Sequence, residues 1–152
     1  MNKNILMALM LMSTSAFAGG SGSIGYGSDY IFRGASQAGT PVVHASYKVE
    51  SEGFYLGAWA SQVDFGDTTS REIDYFGGYN LAVTDKVSLD VGYVRYTFDA
   101  NIDSLEELYV IASFGGLSLG AYQDLDTNDT YAEIGYDLWF VPVVDVKLIY
   151  GL

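Results

Sequence analysis

Few residue types in this chain could do chemistry. It contains no cysteine and one histidine, His44, so a Ser-His-acid or metal site would have to be built around a single imidazole. Ser36, Ser46 and Ser61 are the hydroxyls considered with it, and no spacing marks any of them as a nucleophile. Paired carboxylates are commoner. Glu72 with Asp74, or Glu133 with Asp137, have the chemistry of a general acid and base, yet separations of two and four residues on a strand simply place both groups on one face. Asp124, Asp126 and Asn128 match the opening of a calcium loop, but Asp129 stands in the place of the turn glycine and Gly135 in that of the bidentate glutamate. A solvated, self-repelling acidic loop is the better reading. Gly20, Gly22 and Gly25 fit the dinucleotide glycine pattern without the preceding strand and following helix that it requires. The expectation is a protein that is not an enzyme and has no cofactor and no metal site.

The elements that carry these residues are read from periodicity. From residue 21 onward the dominant period is two, broken by turn residues every 8 to 13 positions, which is the spacing of an all-β meander or barrel. Strands are predicted over 22–32, 41–50, 54–64, 72–82, 86–97, 105–114, 117–124, 130–139 and 143–152. Connections after the second, fourth and sixth are tight, at Ser51 to Gly53, Thr84-Asp85 and Gly115-Gly116. Those after the first, third, fifth and seventh are longer and mostly acidic: 34–40, 66–70, 99–103 and 125–129. This asymmetry matches the short periplasmic turns and longer outer loops of membrane barrels, and places the mature N-terminus on the periplasmic side. Nine strands conflict with the even number expected of a single-chain bacterial barrel.

Residues 1–18 have the parts of an export signal: Lys3, an apolar run from Ile5 to Met12 and the small-x-small ending Ala16-Phe17-Ala18. The run is too short for a transmembrane helix, which needs about 20 residues. Cleavage would leave residues 19–152 as one barrel domain. Without disulfides, an exported chain must be held by burial, backbone pairing or the membrane. The net charge is −12, so nucleic acid, which needs clustered Lys and Arg, is excluded as a partner.

Along nearly every strand one face is apolar and the other charged. The apolar face carries Val43, Ala45, Tyr47 and Val49; Ile73, Tyr75, Tyr79 and Leu81; Val87, Leu89, Val91 and Tyr93; Leu108, Val110, Ala112 and Phe114; and Ala132, Ile134, Tyr136, Leu138 and Phe140. The charged face supplies the candidate lumen residues Asp29, Arg33, His44, Lys48, Glu72, Asp74, Asp90, Glu107, Glu133, Asp137, Asp145 and Lys147. Arg33, Lys48 and Lys147 are expected to pair with acids there, since a buried unpaired charge is costly. A soluble sandwich and a membrane barrel share this alternation with the faces reversed. Strands of about ten residues, aromatics toward strand ends and a final apolar strand through Val144, Val146, Leu148, Tyr150 and Leu152 favour the barrel. Trp59 and the tyrosines are then read as interfacial girdle rather than as sugar-stacking rings.

The segment Ser28-Asp29-Tyr30-Ile31-Phe32-Arg33-Gly34, followed by Ser36-Gln37, resembles the TorF family of proteobacterial porin-type proteins. Pro41-Val42-Val43, Gly53-Phe54-Tyr55-Leu56-Gly57-Ala58-Trp59-Ala60-Ser61, Val63-Asp64-Phe65, Glu72-Ile73-Asp74-Tyr75 and Gly78-Tyr79 follow in the family's order. The likeness spans about 28–96 and, more loosely, Glu107-Leu108-Tyr109 and 131–136; members are usually longer, with further strands. It implies an antiparallel up-and-down transmembrane β-barrel, here of about 8 to 10 strands, in the bacterial outer membrane. The expected function is porin-like passage of small polar or cationic solutes, with outer-membrane lipid as the partner. The rivals are a closed structural or surface-interaction barrel and a soluble periplasmic barrel binding an apolar ligand.

Overall fold

The computed structural model describes residues 9–14, 19–100, 102–138 and 147–152. Among them there is no helix. Ten strands form one sheet, β1 (Leu9–Thr14), β2 (Gly20–Gly27), β5 (Val42–Ser51), β6 (Phe54–Gln62), β7 (Arg71–Thr84), β8 (Val87–Phe98), β9 (Leu105–Phe114), β10 (Leu117–Asp124), β11 (Thr130–Asp137) and β12 (Lys147–Gly151), in that order, each beside its sequence neighbour. β3 (Ile31–Phe32) and β4 (Ala35–Ser36) make a separate small hairpin. The fold is thus an all-β antiparallel meander, and no pairing joins its edge strands β1 and β12 among the described residues.

Local chemistry accounts for the layout. β9 and β10 fall at the expected residues and pair antiparallel from Leu117 opposite Phe114 to Asp124 opposite Glu107. The turn between β5 and β6 is Glu52-Gly53, both at positive φ (52° and 87°), the twist that a two-residue hairpin needs. Nine strands lie where period two predicts them. The first is shorter than expected: β2 stops at Gly27, so Asp29 lies in the connection and Arg33, at φ 48°, on the turn of the β3–β4 hairpin. Both are off the ten-stranded sheet; for Asp29 this corrects its placement on the first predicted strand, 22–32. The tenth strand, β1, lies in the segment read as an export leader and pairs with β2 from Leu9 opposite Tyr26 to Thr14 opposite Gly22. Asp145, Phe140, Val144, Val146 and the side chain of Lys147 lie outside what is described.

Two compact units make up the chain. The first contains β1 to β5, β6 from Leu56, β7 up to Tyr75 and β8 from Tyr96; the second contains Phe54 and Tyr55, β7 from Phe76, β8 up to Arg95, and β9 to β12. In both, the polar face is the shielded one. In the first unit Glu72 is 4% and Asp74 8% exposed, whereas Ile24 is 66% and Leu56 64% exposed. In the second, Glu107 is 4% exposed against 66% for Phe54. Tyr47, Tyr75, Val91, Leu108, Val110, Phe114, Ile134 and Tyr136 are likewise exposed. Asp137, at the end of β11, is exposed too.

Candidate functional site

In the first unit the shielded face brings together Tyr30, His44, Trp59, Glu72 and Asp74. Glu72 and Asp74 alternate with Ile73 and Tyr75 on β7, so period two turns both carboxyls to the shielded side. They hydrogen-bond each other. Tyr30 Oη donates to Glu72 Oε1 at 3.3 Å. Asp74 Oδ1 is buried and has no hydrogen-bond partner. Among the described residues no basic side chain forms an ion pair with either carboxyl. Burial first, then the charges of Glu72 and Asp74, hold the Tyr30 phenol above its usual range, so it remains a donor.

The connection between β2 and β5 places Tyr30. Its carbonyl accepts from Gln37 N at 2.7 Å, closing the β3–β4 hairpin, and Gln37 O accepts from Asp64 N at 2.7 Å. Asp29 Oδ1 accepts from Gly39 N at 2.9 Å. Hydrogen bonding from the Ser36 hydroxyl, outweighing the opposing effect of burial, keeps Asp29 below the ordinary carboxyl range. The Tyr30 ring meets Trp59 at 5.0 Å and 55°, and Trp59 stacks on His44 at 6.2 Å and 27°. Arg33 lies over Phe32, 4.6 Å from the ring centroid, and its field also reaches Tyr30.

The second unit carries a chain of tyrosines on its shielded face. Tyr122 sits in register with Tyr109 on one side and Tyr131 on the other, with ring centroids 5.8 Å apart in both pairs. Tyr55 Oη lies 2.5 Å from Tyr109 Oη and donates to Asp90 Oδ1 at 2.5 Å. Asn80 Nδ2 donates to Asp90 Oδ2 at 3.3 Å, and Tyr122 Oη to Glu133 Oε1 at 3.0 Å. Glycines make room for the rings: a Cβ on Gly78 would strike the Tyr55 ring, and one on Gly92 the Tyr109 ring. This is cross-strand covering of glycine by an aromatic.

The predicted site residues therefore sort as follows. Glu72 and Asp74 meet, with His44 stacked nearby on Trp59. Asp90, Glu133 and Glu107 lie on the shielded face of the second unit. Lys48 pairs with Glu50 at 2.7 Å. Sequence reasoning missed Tyr30 as a partner of Glu72 and read the aromatics only as girdle, whereas Tyr55, Trp59, Tyr109, Tyr122 and Tyr131 share the charged face. The available signal was parity, since Tyr55 and Trp59 alternate with exposed Phe54 and Leu56.

The longer acidic connections are organised by their own side chains. Their aspartates accept backbone N–H groups. Asp99 Oδ1 takes Ser70 N at 2.9 Å and Arg71 N at 3.1 Å, and Oδ2 takes the Ser70 hydroxyl at 2.7 Å. These donors, the Ser70 N–H foremost, lower the Asp99 pKa to about 2. Asp124 Oδ1 accepts from Asp126 N and Thr127 N at 2.7 and 2.8 Å, and Asp126 Oδ2 from Glu106 N at 3.0 Å. Asp67 accepts from Thr69 N at 2.6 Å. Among the nominated hydroxyls, Ser46 bonds Ser23 at 2.7 Å, Ser61 donates to Gln62 O at 3.1 Å and Ser36 accepts from Gly39 N at 2.9 Å.

Fold and site define a class first: an antiparallel β-meander whose charged face is shielded and whose aliphatic face is presented outward. Within it, residues 13–137 match the Gcw_chp family, bacterial proteins of unknown function, and the chain belongs to that family. No curated protein and no solved structure matches it.

Proposed function

We propose that this chain is an integral outer-membrane β-barrel, exported through its N-terminal segment, whose acidic interior passes small cations and polar solutes. The observation that carries the reading is the inverted polarity. Glu72, Asp74 and Glu107 are buried while Ile24, Phe54, Leu56, Val91, Leu108 and Ile134 are exposed. Each such aliphatic or aromatic side chain gains about 1.5 to 3 kcal/mol on leaving water, so a face of them calls for an apolar surrounding such as lipid. Strand lengths agree with a tilted crossing of about 9 to 11 residues: β5 and β9 have 10 residues, β8 has 12. The resemblance to the TorF family points the same way, and carboxylates on the inner face would concentrate cations.

One set of contacts favours a second reading, a closed structural or surface-interaction barrel. Tyr55, Tyr109, Tyr122 and Tyr131 fill space against glycines, Tyr55 hydrogen-bonds Tyr109 and Asp90 and Tyr122 hydrogen-bonds Glu133, and Tyr122 packs its ring against Tyr109 and Tyr131, as side chains do when they occupy a small barrel's interior. The deciding experiment is reconstitution of the detergent-folded protein in planar bilayers. The porin reading expects steady conductance with potassium preferred over chloride. Chloride preference, or no conductance together with no solute uptake in liposome swelling, would overturn it. Recovery of the exported protein as a soluble periplasmic species would overturn the membrane assignment as a whole.

A further inference from the structure

We infer that the β2–β5 connection is a strap that governs access to the shielded face of the first unit, with Tyr30 and Phe32 as its anchors. A hairpin connection needs only about two to five residues, whereas this one spans residues 28–41, and the excess is laid against the sheet. Tyr30 and Phe32 alternate with Ile31, which is 43% exposed, so period two turns both rings to one side. That side meets three consecutive strands. The Tyr30 ring packs on Trp59 of β6 at 5.0 Å, and its hydroxyl donates to Glu72 of β7 at 3.3 Å. The Phe32 ring meets Tyr96 of β8 edge-on, at 5.7 Å and 66°.

Between its anchors the strap is stiff. Arg33 and Gly34 make the two-residue turn of the β3–β4 hairpin, with φ of 48° and 83°, the twist that such a turn requires. Gln37 N donates to Tyr30 O at 2.7 Å, and Gln37 O accepts from Asp64 N at 2.7 Å, which ties the hairpin to the connection after β6. Gly39 N donates to Asp29 Oδ1 and to Ser36 Oγ, both at 2.9 Å, and Ala38 is 7% exposed. A segment bonded in this way covers or uncovers the face as one body, so loosening one anchor is felt at the other. Lying against Glu72 and Trp59, it limits the size of solute that can come against them. Tyr30 and Phe32 are then specificity-determining residues for the proposed passage of solutes, and only this last step rests on that reading.

Trp59 is the reporter. The chain has two tryptophans, so in a Trp139→Phe background acrylamide quenching of the detergent-folded full chain reads access to Trp59 alone. Phe32→Ala is the decisive variant, because its ring contact is with Tyr96, at the other anchor. Removing one aromatic pair should shift the covered-to-uncovered ratio about 2- to 12-fold, so quenching of Trp59 should rise, and rise further in Tyr30→Ala, Phe32→Ala. Ile31→Ala, on the side turned away from the sheet, should stay at the wild-type value. A heat-modifiable band checks that each variant folds, and Phe32→Leu, which keeps an apolar side chain without the ring, replaces Phe32→Ala if the larger truncation does not fold. Unchanged quenching in the folded Phe32 variant would overturn the strap. Liposome swelling with sugars of increasing size is read separately. A larger size limit in the double variant upholds strap and passage together. Raised quenching with no uptake by wild type or variant keeps the strap and removes the passage, and equal uptake with unchanged quenching does the reverse.

Discussion

Replacing Ile134 with arginine and, separately, Glu133 with glutamine tests which face of β11 meets lipid. Ile134 is 44% exposed and lies in register between Leu119 of β10 and Tyr150 of β12, so its surroundings are apolar on both sides. If that face contacts hydrocarbon near mid-membrane, arginine costs about 2 to 4 kcal/mol. The lost isoleucine contact adds about 1.5 kcal/mol or more. At tenfold for each 1.4 kcal/mol, the arginine penalty alone shifts the folded-to-unfolded ratio about 30-fold to several hundred-fold. Glu133 faces the other way and accepts from Tyr122 Oη at 3.0 Å. A glutamine keeps an acceptor oxygen there, so the change should stay within about 1 kcal/mol. Urea titration of both variants folded into lipid vesicles measures the two effects. In water the expectation inverts for isoleucine: exposed Ile134→Arg would be nearly neutral, within about 0.5 kcal/mol. Equal tolerance of the two substitutions would refute the facial assignment.

The carboxyl of Asp99 should titrate with a midpoint of about 2. Because the folded value is depressed, its hold on Ser70 and Arg71 is fully present above the ordinary aspartate range and is lost as pH falls through about 2. Protection of those two amides, followed by NMR hydrogen exchange, should track that loss and should be reduced at neutral pH in Asp99→Ala, which removes the acceptor. Gly92→Ala would drive a methyl into the Tyr109 ring and to within 2.9 Å of Gly77 O, destabilising the protein by about 1 to 3 kcal/mol. Gly22→Ala, where the nearest atom is at an ordinary 3.5 Å, should be milder; the urea midpoints of the two variants compare them, and equal midpoints would contradict the glycine-aromatic packing.

The strand map was legible in the sequence because alternation and turn chemistry are local. β9 and β10 lie at the residues that period two and Gly115-Gly116 indicate, and the turns at Glu52-Gly53 and after Thr84 lie where the breakers are. The separation of Glu72 and Asp74 from Ile73 and Tyr75 follows from the same parity. Which face is shielded did not follow, since a sandwich and a barrel alternate identically along the chain. Only the three-dimensional arrangement shielded the acids and left the aliphatics exposed, because shielding is set by strands distant in sequence. The end of β2 at Gly27 and the turn that carries Arg33 also depended on contacts beyond the segment, including the bond from Asp64 N to Gln37 O. The tyrosines mark the boundary most clearly. As residue types they suit a membrane interface, but Tyr55 and Tyr109 lie on the shielded face, where neighbouring strands present Gly78 and Gly92 beneath them. The hydrogen bond from Tyr30 to Glu72 joins residues 42 positions apart, a distance over which sequence periodicity carries no information and only tertiary packing decides.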